Sequence, residues 1–276
     1  MSKVDLHLHS CVSDGKYTPA EVVAKAAGLG LAVIALTDHD NIDGIAAALE
    51  AARNFPGLKV IPGVEISTDE AEGEVHMLGY FIDYTHPELL ATLVKSRETR
   101  VGRAQDMVYK LAGLGLPLEW KRVLEIAGDG TIGRPHIARA LLEKGYISTF
   151  NEAFDKYIGD GGPAYVDRTK ITPTEAVEII LRAGGLPVLA HPFTTKNTEA
   201  LVTRLAQNGL AGIEAYSGKH TPEQVQRYHK LAEKHHLIVT GGSDYHGIHE
   251  DTETMMGSLD IPMSAAEKLI ARAGQK

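Results

Sequence analysis

The stretch Val4-Asp5-Leu6-His7-Leu8-His9-Ser10 sets an apolar side chain at every second position. Alternate side chains of a β-strand leave the same face, so this pattern predicts a strand from which Asp5, His7 and His9 project together. Neutral imidazole nitrogens are common metal ligands. The stretch therefore predicts a strand that presents two candidate metal ligands side by side.

The composition of the chain excludes several classes of protein. Its 276 residues suffice for one large α/β domain with an insertion, and 28 Lys and Arg against 36 Asp and Glu give a net charge of -8. Proteins that bind long duplex nucleic acid by counterion release are basic, so we expect no such partner. The single cysteine, Cys11, excludes an intramolecular disulfide and is typical of a reducing compartment. No signal-peptide-like or membrane-spanning apolar run is present, so we expect a cytoplasmic protein without a membrane partner.

Short apolar runs rich in Val, Ile and Leu recur along the chain and predict strands buried on both faces. Beyond the first stretch they cover residues 31–36, 60–61, 75–80, 186–190, 212–216 and 237–240. Between many of them stand helix-start patterns with an N-cap hydroxyl and an acidic or amide residue three positions later, at Thr18, Thr172, Thr221 and Ser264. Strand and helix alternate, which predicts a mostly parallel sheet. About seven strands fit an α/β barrel better than an open sheet with one crevice.

Residues 87–162 show helical spacing and no convincing strand. We predict helices over residues 87–114, 118–127, 133–144 and 149–157, after which the glycine-rich segment 159–163 ends the pattern and strands resume near Tyr165. The predicted organisation is a barrel formed by residues 1–88 and 164–276, with a helical insertion of residues 89–163 that lies over the barrel mouth as a lid.

Histidine and acidic residues follow the predicted strands in a fixed series of motifs. These are His7-Leu8-His9-Ser10, Ser13-Asp14-Gly15, Leu36-Thr37-Asp38-His39-Asp40, Gly63-Val64-Glu65-Ile66-Ser67, Ala190-His191-Pro192 and Gly242-Ser243-Asp244-Tyr245-His246. In this order they resemble the PHP superfamily, named for its polymerase-associated and histidinol-phosphatase members. The resemblance implies a distorted (β/α)7 barrel with a trinuclear metal site. The insertion, with Gly133-Arg134-Pro135-His136, resembles the bacterial nucleoside 3′,5′-bisphosphate phosphatases, some of which also trim RNA from its 5′ end as 5′-3′ exoribonucleases.

The resemblance also implies a set of ligands for three divalent ions. The first ion would be held by His7, His9, Glu65 and Asp244, the second by Glu65, His76 and His191, and the third by Asp14, His39 and His246. Asp14 stands where other members place histidine, which favours Mn²⁺ or Mg²⁺ over Zn²⁺ at that position. We expect Mn²⁺ foremost, with Fe²⁺, Zn²⁺ and Mg²⁺ as alternatives, and a catalytic role for Glu65, His191, Asp244 and His246.

Imidazole and carboxylate without cysteine favour an open catalytic cluster over a closed structural zinc site. Two cations about 3.5 to 4 Å apart can hold a hydroxide in line with a phosphorus atom, so phosphate-ester hydrolysis follows. One isolated histidine of this kind would more often be a core or surface residue, but a whole set at successive strand ends favours metal binding. An amidohydrolase and a metal-bound regulatory module without turnover are the competing interpretations.

Four residues are candidates for contact with substrate. Arg134 begins a predicted helix, where its guanidinium and free backbone N–H groups could bind a second phosphate, and His136 follows two residues later. Ser67 could donate a hydrogen bond to phosphate, although serine after a strand is also a common turn residue. Arg168 could add charge at the barrel mouth or be solvated surface. Arg97, Arg100 and Arg103 are expected to form a solvated or salt-bridged helix face, and the alternative is that this stripe guides an RNA tail.

The predicted activity is release of the 3′-phosphate from nucleoside 3′,5′-bisphosphates to give nucleoside 5′-monophosphates. Partners would be small phosphorylated nucleosides and, as an extension, short RNA 5′ ends. Exoribonuclease action on short RNA and hydrolysis of another small phosphomonoester are the nearest alternatives.

Overall fold

The computed structural model describes residues 3–70, 73–128, 130–167, 171–248 and 253–275. The chain divides into two compact units, Met1–Leu93 with Lys170–Lys276, and Val94–Thr169. Boundaries at 88/89 and 163/164, and the role of the second unit as a lid, stay predictions from the sequence.

The first unit is built on seven strands whose spatial order follows the chain. They are β1 Val4–Leu8, β2 Val33–Leu36, β3 Lys59–Glu70, β4 Gly73–Tyr80, β5 Leu186–Leu189, β6 Gly212–Tyr216 and β7 Ile238–Gly241. Every apolar run predicted as a strand forms one, and every residue of β1, β2 and β5 is buried, as expected for strands covered on both faces.

The ends of the sheet meet beside β1 and β7, which makes a nearly closed barrel. Leu8 and Tyr245 form a parallel bridge, the His9 N–H donates to the Tyr245 carbonyl at 3.0 Å, and the Tyr245 N–H donates to the His7 carbonyl at 3.3 Å. Gly242 permits this approach, because a Cβ atom there would collide with the backbone and Cβ of His7. The predicted α/β barrel is confirmed.

One strand runs against the others. The β1-β2-β3 and β5-β6-β7 groups are parallel, whereas β4 is antiparallel to both β3 and β5. No crossover helix separates β3 from β4, so the chain must reverse between them. A ligand at the amino-terminal end of β4 can therefore meet ligands at the carboxyl ends of its neighbours.

The helices are α1 Pro19–Gly28, α2 Ile45–Ala52, α3 Pro87–Gly113, α4 Trp120–Ala127, α5 Arg134–Glu143, α6 Phe150–Ala153, α7 Pro173–Arg182, α8 Thr198–Gln207, α9 Pro222–His235 and α10 Met263–Ala273. Reciprocal capping bonds confirm the predicted starts at Thr18, Thr172 and Thr221. The start predicted at Ser264 is wrong, because α10 begins at Met263 directly after Pro262. The fixed φ of Pro262 suits the helix entrance and moves the start upstream.

The second unit is helical, with no strand among its described residues. Its helices pack around a buried apolar cluster that includes Met107, Leu111, Val123, Ile137 and Leu141. A π-helical turn, Phe154–Ile158, replaces the end of the predicted fourth helix. None of the helices that the structure describes is both long and apolar enough to cross a membrane.

Two sequence expectations fail in the segment that follows this turn. No strand forms near Tyr165, because the backbone there bonds elsewhere: Lys110 Nζ donates to the Tyr165 carbonyl at 2.6 Å and Arg103 Nε to the Val166 carbonyl at 2.7 Å. Arg103 is consequently only 9 % exposed, and its guanidinium lies 5.2 Å from the centre of the Tyr165 ring. A solvated face is therefore wrong for Arg103.

Candidate metal centre

The barrel brings together all nine residues that the sequence suggested as metal ligands. His7 and His9 lie on β1, Glu65 on β3 and His76 on β4, while Asp14, His39, His191, Asp244 and His246 lie on the segments that follow β1, β2, β5 and β7. His76 is the exception to the expectation of carboxyl strand ends, since it lies in the first half of the reversed β4.

Their donor atoms form three overlapping groups, each with all its atoms within 4.8 Å of one another. The groups are His7, His9, Glu65 and Asp244; His9, Asp14, His39 and His246; and His39, Glu65 and His76. The first group equals the first predicted ligand set, and the second contains the third predicted set with His9 added. In the remaining group His39 stands where the resemblance implied His191, although His191 Nε2 lies 2.9 Å from Glu65 Oε1.

Glu65 is the centre of this arrangement and is fully buried. Its Oε1 lies 2.8 Å from His76 Nδ1, and its Oε2 lies 3.0 Å from His39 Nδ1 and 3.2 Å from His7 Nε2. The two oxygens of one carboxylate thus face different groups of imidazoles, as a bridging ligand between two ions would.

Several buried donor atoms lack a hydrogen-bond partner among the described residues. They include His7 Nε2, both ring nitrogens of His9, Asp14 Oδ1, His39 Nδ1 and Glu65 Oε2. Buried polar atoms are normally paired, so a concentration of unpaired nitrogen and oxygen donors at one place is typical of a cation-binding site. The residues present fit divalent metal ions.

Electrostatics within the cluster are strongly coupled. Burial opposes protonation of His9, yet the carboxylates of Asp244 and Glu65, 3.4 and 3.3 Å from its Nε2, raise its pKa to about 10. Burial lowers the pKa of His39 to about 3, against the attraction of Glu65 and Asp14. Burial would raise the pKa of Glu65, but His39, His7 and His76 hold it well below its usual value. A divalent ion bound by His9 would therefore have to displace the proton of that ring, because an imidazole that ligates a metal is neutral.

Unusual backbone conformations concentrate beside these ligands. Asp40, His191 and Asp244 have positive φ angles of 47°, 22° and 55°. Such conformations are costly for residues other than glycine and persist where surrounding contacts enforce them. Asp40 has such contacts, because its N–H donates to the Glu65 carbonyl at 2.9 Å and its Oδ1 accepts from the Ser67 N–H at 3.0 Å.

Two residues at this site were missed by the sequence analysis. Glu214 is fully buried on β6, with Oε1 3.1 Å from His7 Nδ1 and Oε2 accepting from the His191 N–H at 2.7 Å. Lys219, on the segment after β6, places Nζ 3.1 Å from Asp244 Oδ2. A charged residue inside the apolar run 212–216 was a usable signal for Glu214, whereas Lys219 carried none.

The residues suggested as substrate contacts lie in different parts of the structure. Ser67 is buried on β3 directly across from His76, and its N–H donates to Asp40 Oδ1 at 3.0 Å. Arg134 is the first residue of α5 in the second unit, where Nη1 lies 2.8 Å from Asp160 Oδ1. In the same unit His136 is buried, and its Nδ1 accepts from the Gly133 N–H at 3.0 Å. Arg168 lies outside the described residues.

The PHP domain family matches residues 5–158 of the chain. A 3′,5′-nucleoside bisphosphate phosphatase from Chromobacterium violaceum is 36% identical over 272 residues, which cover 95% of this chain and 93% of that protein. The 5′-3′ exoribonuclease Rnm of Salmonella typhimurium is 35% identical over 247 residues, covering 88% of this chain and 84% of that protein.

Solved structures agree with this relationship. A Bifidobacterium adolescentis protein, assigned by inference as a metal-dependent phosphoesterase, superposes with a TM-score of 0.90 at 30% identity, covering 99% of this chain and 96% of that one. Family match, relatives and fold coincide with a buried cluster suited to divalent ions. The chain therefore belongs to the PHP family and is a metal-dependent phosphoesterase.

Proposed function

We propose that this enzyme hydrolyses the 3′-phosphate of nucleoside 3′,5′-bisphosphates and releases nucleoside 5′-monophosphates. The observation that carries the proposal is the position of Glu65, whose carboxylate oxygens lie within 3.3 Å of nitrogens from five histidines. Such a shared carboxylate suits a multi-ion centre for phosphoryl chemistry. The choice of substrate is supported by similarity to the Chromobacterium violaceum phosphatase along nearly the whole chain.

The proposed ligands are those named above for three ions, with Mn²⁺ as the foremost candidate. Glu65 would be shared by the first two sets, and His39 is close enough to Glu65 to serve either neighbouring position. Divalent ions in such a centre polarise phosphoryl oxygens and make water a stronger nucleophile at neutral pH. The protein's own part is to hold these donors rigidly, which the buried strands of the barrel favour.

Charge on the phosphate has to be balanced by this chain's cations. Lys219 lies beside Asp244 with 55% of its side chain exposed, so its ammonium group is accessible from solvent. We assign it to the phosphoryl group that reacts. Arg134 is assigned to the second phosphate, because its guanidinium stands at the N-terminus of α5 and lies 5.9 Å from the Phe154 and Tyr165 ring centres, an environment that could also accept a nucleobase. Ser67, His136 and Arg168 remain proposed contacts.

The second candidate function is 5′-3′ exoribonuclease action on short RNA. It is favoured by the 35% identity with the Salmonella typhimurium enzyme. Both activities would use the same ions and break the bond between phosphorus and the 3′-oxygen of a 5′-phosphorylated nucleotide. They differ in whether that phosphorus carries only free phosphate oxygens or also the 5′-oxygen of the remaining RNA chain.

The test measures the release of inorganic phosphate, and of nucleoside 5′-monophosphate from RNA, by protein stripped of metal and reloaded with Mn²⁺. Substrates are adenosine 3′,5′-bisphosphate, 3′-AMP, 5′-AMP and a short 5′-phosphorylated RNA, with an amide panel in parallel. We expect the bisphosphate to be preferred and 5′-AMP to be the product. Turnover of RNA alone would move the function to exonuclease, and cleavage of amides without phosphate release would overturn the proposal.

A further inference from the structure

Glu214 connects two of the proposed ligands although it belongs to none of the three donor groups. It lies in the middle of β6, is 0% exposed, and contacts residues 207 and 23 positions away in the chain, His7 and His191. One carboxylate oxygen of Glu214 faces the ring of His7, and the other accepts from the backbone N–H of His191.

The first contact determines which nitrogen of His7 is available. An ionised carboxylate can only accept hydrogen bonds, so Glu214 Oε1, 3.1 Å from Nδ1, requires the proton of His7 to lie on Nδ1. In the neutral ring that binds a metal, Nε2 is then left unprotonated. That nitrogen lies 3.2 Å from Glu65 Oε2 and 3.6 Å from Asp244 Oδ1, within the first donor group.

The second contact acts on the backbone of His191. This residue has a φ of 22° and a ψ of 64°, outside the favourable regions for a histidine. Its Nδ1 has no hydrogen-bond partner among the described residues, so the ring is not anchored through that atom. The bond from its N–H to Glu214 Oε2, at 2.7 Å, therefore contributes to the backbone conformation that places Nε2 beside Glu65.

We propose that Glu214 is a positioning residue for the metal centre, fixing the Nδ1-protonated tautomer of His7 and the backbone conformation of His191 through one carboxylate. The inference rests on the ligand roles proposed above. It adds a dependence that those roles do not contain, because one residue outside the ligand set controls a proposed ligand on β1 and another on the segment after β5.

Glu214→Gln separates this role from simple packing. The backbone N–H of His191 can only donate, so the amide oxygen of glutamine must face it. The amide NH₂ then faces His7 Nδ1 and donates to it, which selects the tautomer with the proton on Nε2. The substitution thus preserves volume but turns the metal-binding nitrogen of His7 into a donor.

The experiment compares wild type, Glu214→Gln and Glu199→Gln, the last an exposed carboxylate paired with Lys234. Mn²⁺ affinity is measured by calorimetry on stripped protein, and bound metal is counted after gel filtration. In Zn²⁺-loaded protein, ¹⁵N NMR reports the tautomer of His7. Loss of a residue that hydrogen-bonds to a metal ligand weakens metal affinity by roughly 10- to 100-fold. We expect a loss of this size for Glu214→Gln and no loss for Glu199→Gln.

The outcomes separate this inference from the proposed function. Wild type that binds no divalent metal would overturn the ligand assignment itself. Wild type that binds metal and releases phosphate, together with Glu214→Gln of unchanged affinity, would overturn only the role of Glu214. Should the variant fail to fold, the wild-type NMR spectrum still decides: a proton on Nδ1 of His7 is expected, and a proton on Nε2 would contradict the proposal.

Discussion

Glu65 and His191 lie 126 residues apart in the chain, yet Glu65 Oε1 is 2.9 Å from His191 Nε2. The other oxygen of the same carboxylate faces His7, His9 and His39. Donors from β1, β3, β4 and the segments after β2 and β5 therefore depend on one side chain.

Glu65→Gln should remove both the charge and one acceptor oxygen from this point. Loss of a residue that only holds a metal ligand in place costs up to roughly 100-fold in activity. We expect kcat/KM for the preferred phosphate ester to fall by more than that, and the number of bound ions per chain to fall as well. Steady-state kinetics and metal analysis check this. Glu70→Gln is the matched control, since Glu70 lies on the same strand but pairs with Arg204. Near-normal turnover of Glu65→Gln would contradict the assignment.

Metal removal should lower thermal stability. The ions would bind the folded chain alone, and one site at 100 times its Kd contributes about 2.7 kcal/mol. For a chain of this size that corresponds to a drop in Tm of roughly 5 to 10 °C on chelation. Calorimetry before and after stripping, and after Mn²⁺ return, measures it. An unchanged Tm in protein that demonstrably lost its metal would argue against a contribution of the ions to the fold.

Arg134→Ala should discriminate between substrates. If the guanidinium binds the second phosphate, KM for adenosine 3′,5′-bisphosphate rises by about 10- to 100-fold, as loss of a charged hydrogen bond costs about 1.5 to 3 kcal/mol. KM for an aryl phosphate should change little. The control is Arg139→Ala, an exposed arginine on the same helix. Equal effects on both substrates would remove the assigned role.

Lys219→Ala should impair the reaction without reducing the amount of bound metal. The ammonium group lies 3.1 Å from Asp244 Oδ2, outside the three donor groups. We expect kcat/KM to fall about tenfold or more for every phosphate ester. Bound metal should be unchanged, whereas loss of metal would mean that Lys219 serves only to hold Asp244. Lys16→Ala, a comparably exposed lysine paired with Glu253, is the control.

Tyr80→Phe should affect stability alone. Tyr80 is fully buried on β4, and its hydroxyl donates to the Leu6 carbonyl on β1 at 2.8 Å. Its loss should cost about 1 kcal/mol of unfolding free energy. Tyr109→Phe, at a tyrosine that is 82% exposed, should cost less than about 0.5 kcal/mol. Denaturant unfolding measures both, and equal values would contradict a structural role for this bond.

Sequence pattern predicted the strands well because burial on both faces leaves a continuous apolar run. It did not reveal the direction of β4, because an apolar run has the same pattern in a parallel and in an antiparallel strand. The short connection between β3 and β4 is what requires β4 to be antiparallel. The motifs and the family resemblance together indicated the nine proposed ligands. The burial of Arg103 was not predicted, because the periodic spacing of arginines does not indicate that this side chain donates to the carbonyl of Val166. The position of Lys219 was not predicted, because nothing in the sequence distinguishes this loop lysine from others; only the fold places it beside Asp244.

The seam between β1 and β7 has a consequence for how the enzyme is made. His7 and His9 leave the ribosome early, whereas Asp244 and His246 emerge more than 230 residues later, and the bonds joining His7 and His9 to Tyr245 require both. A nascent chain can therefore hold only part of the proposed ligand set. If these residues bind metal as proposed, full loading must follow synthesis of the segment after the last strand, and products that terminate before it would lack the complete centre even if their earlier strands had folded.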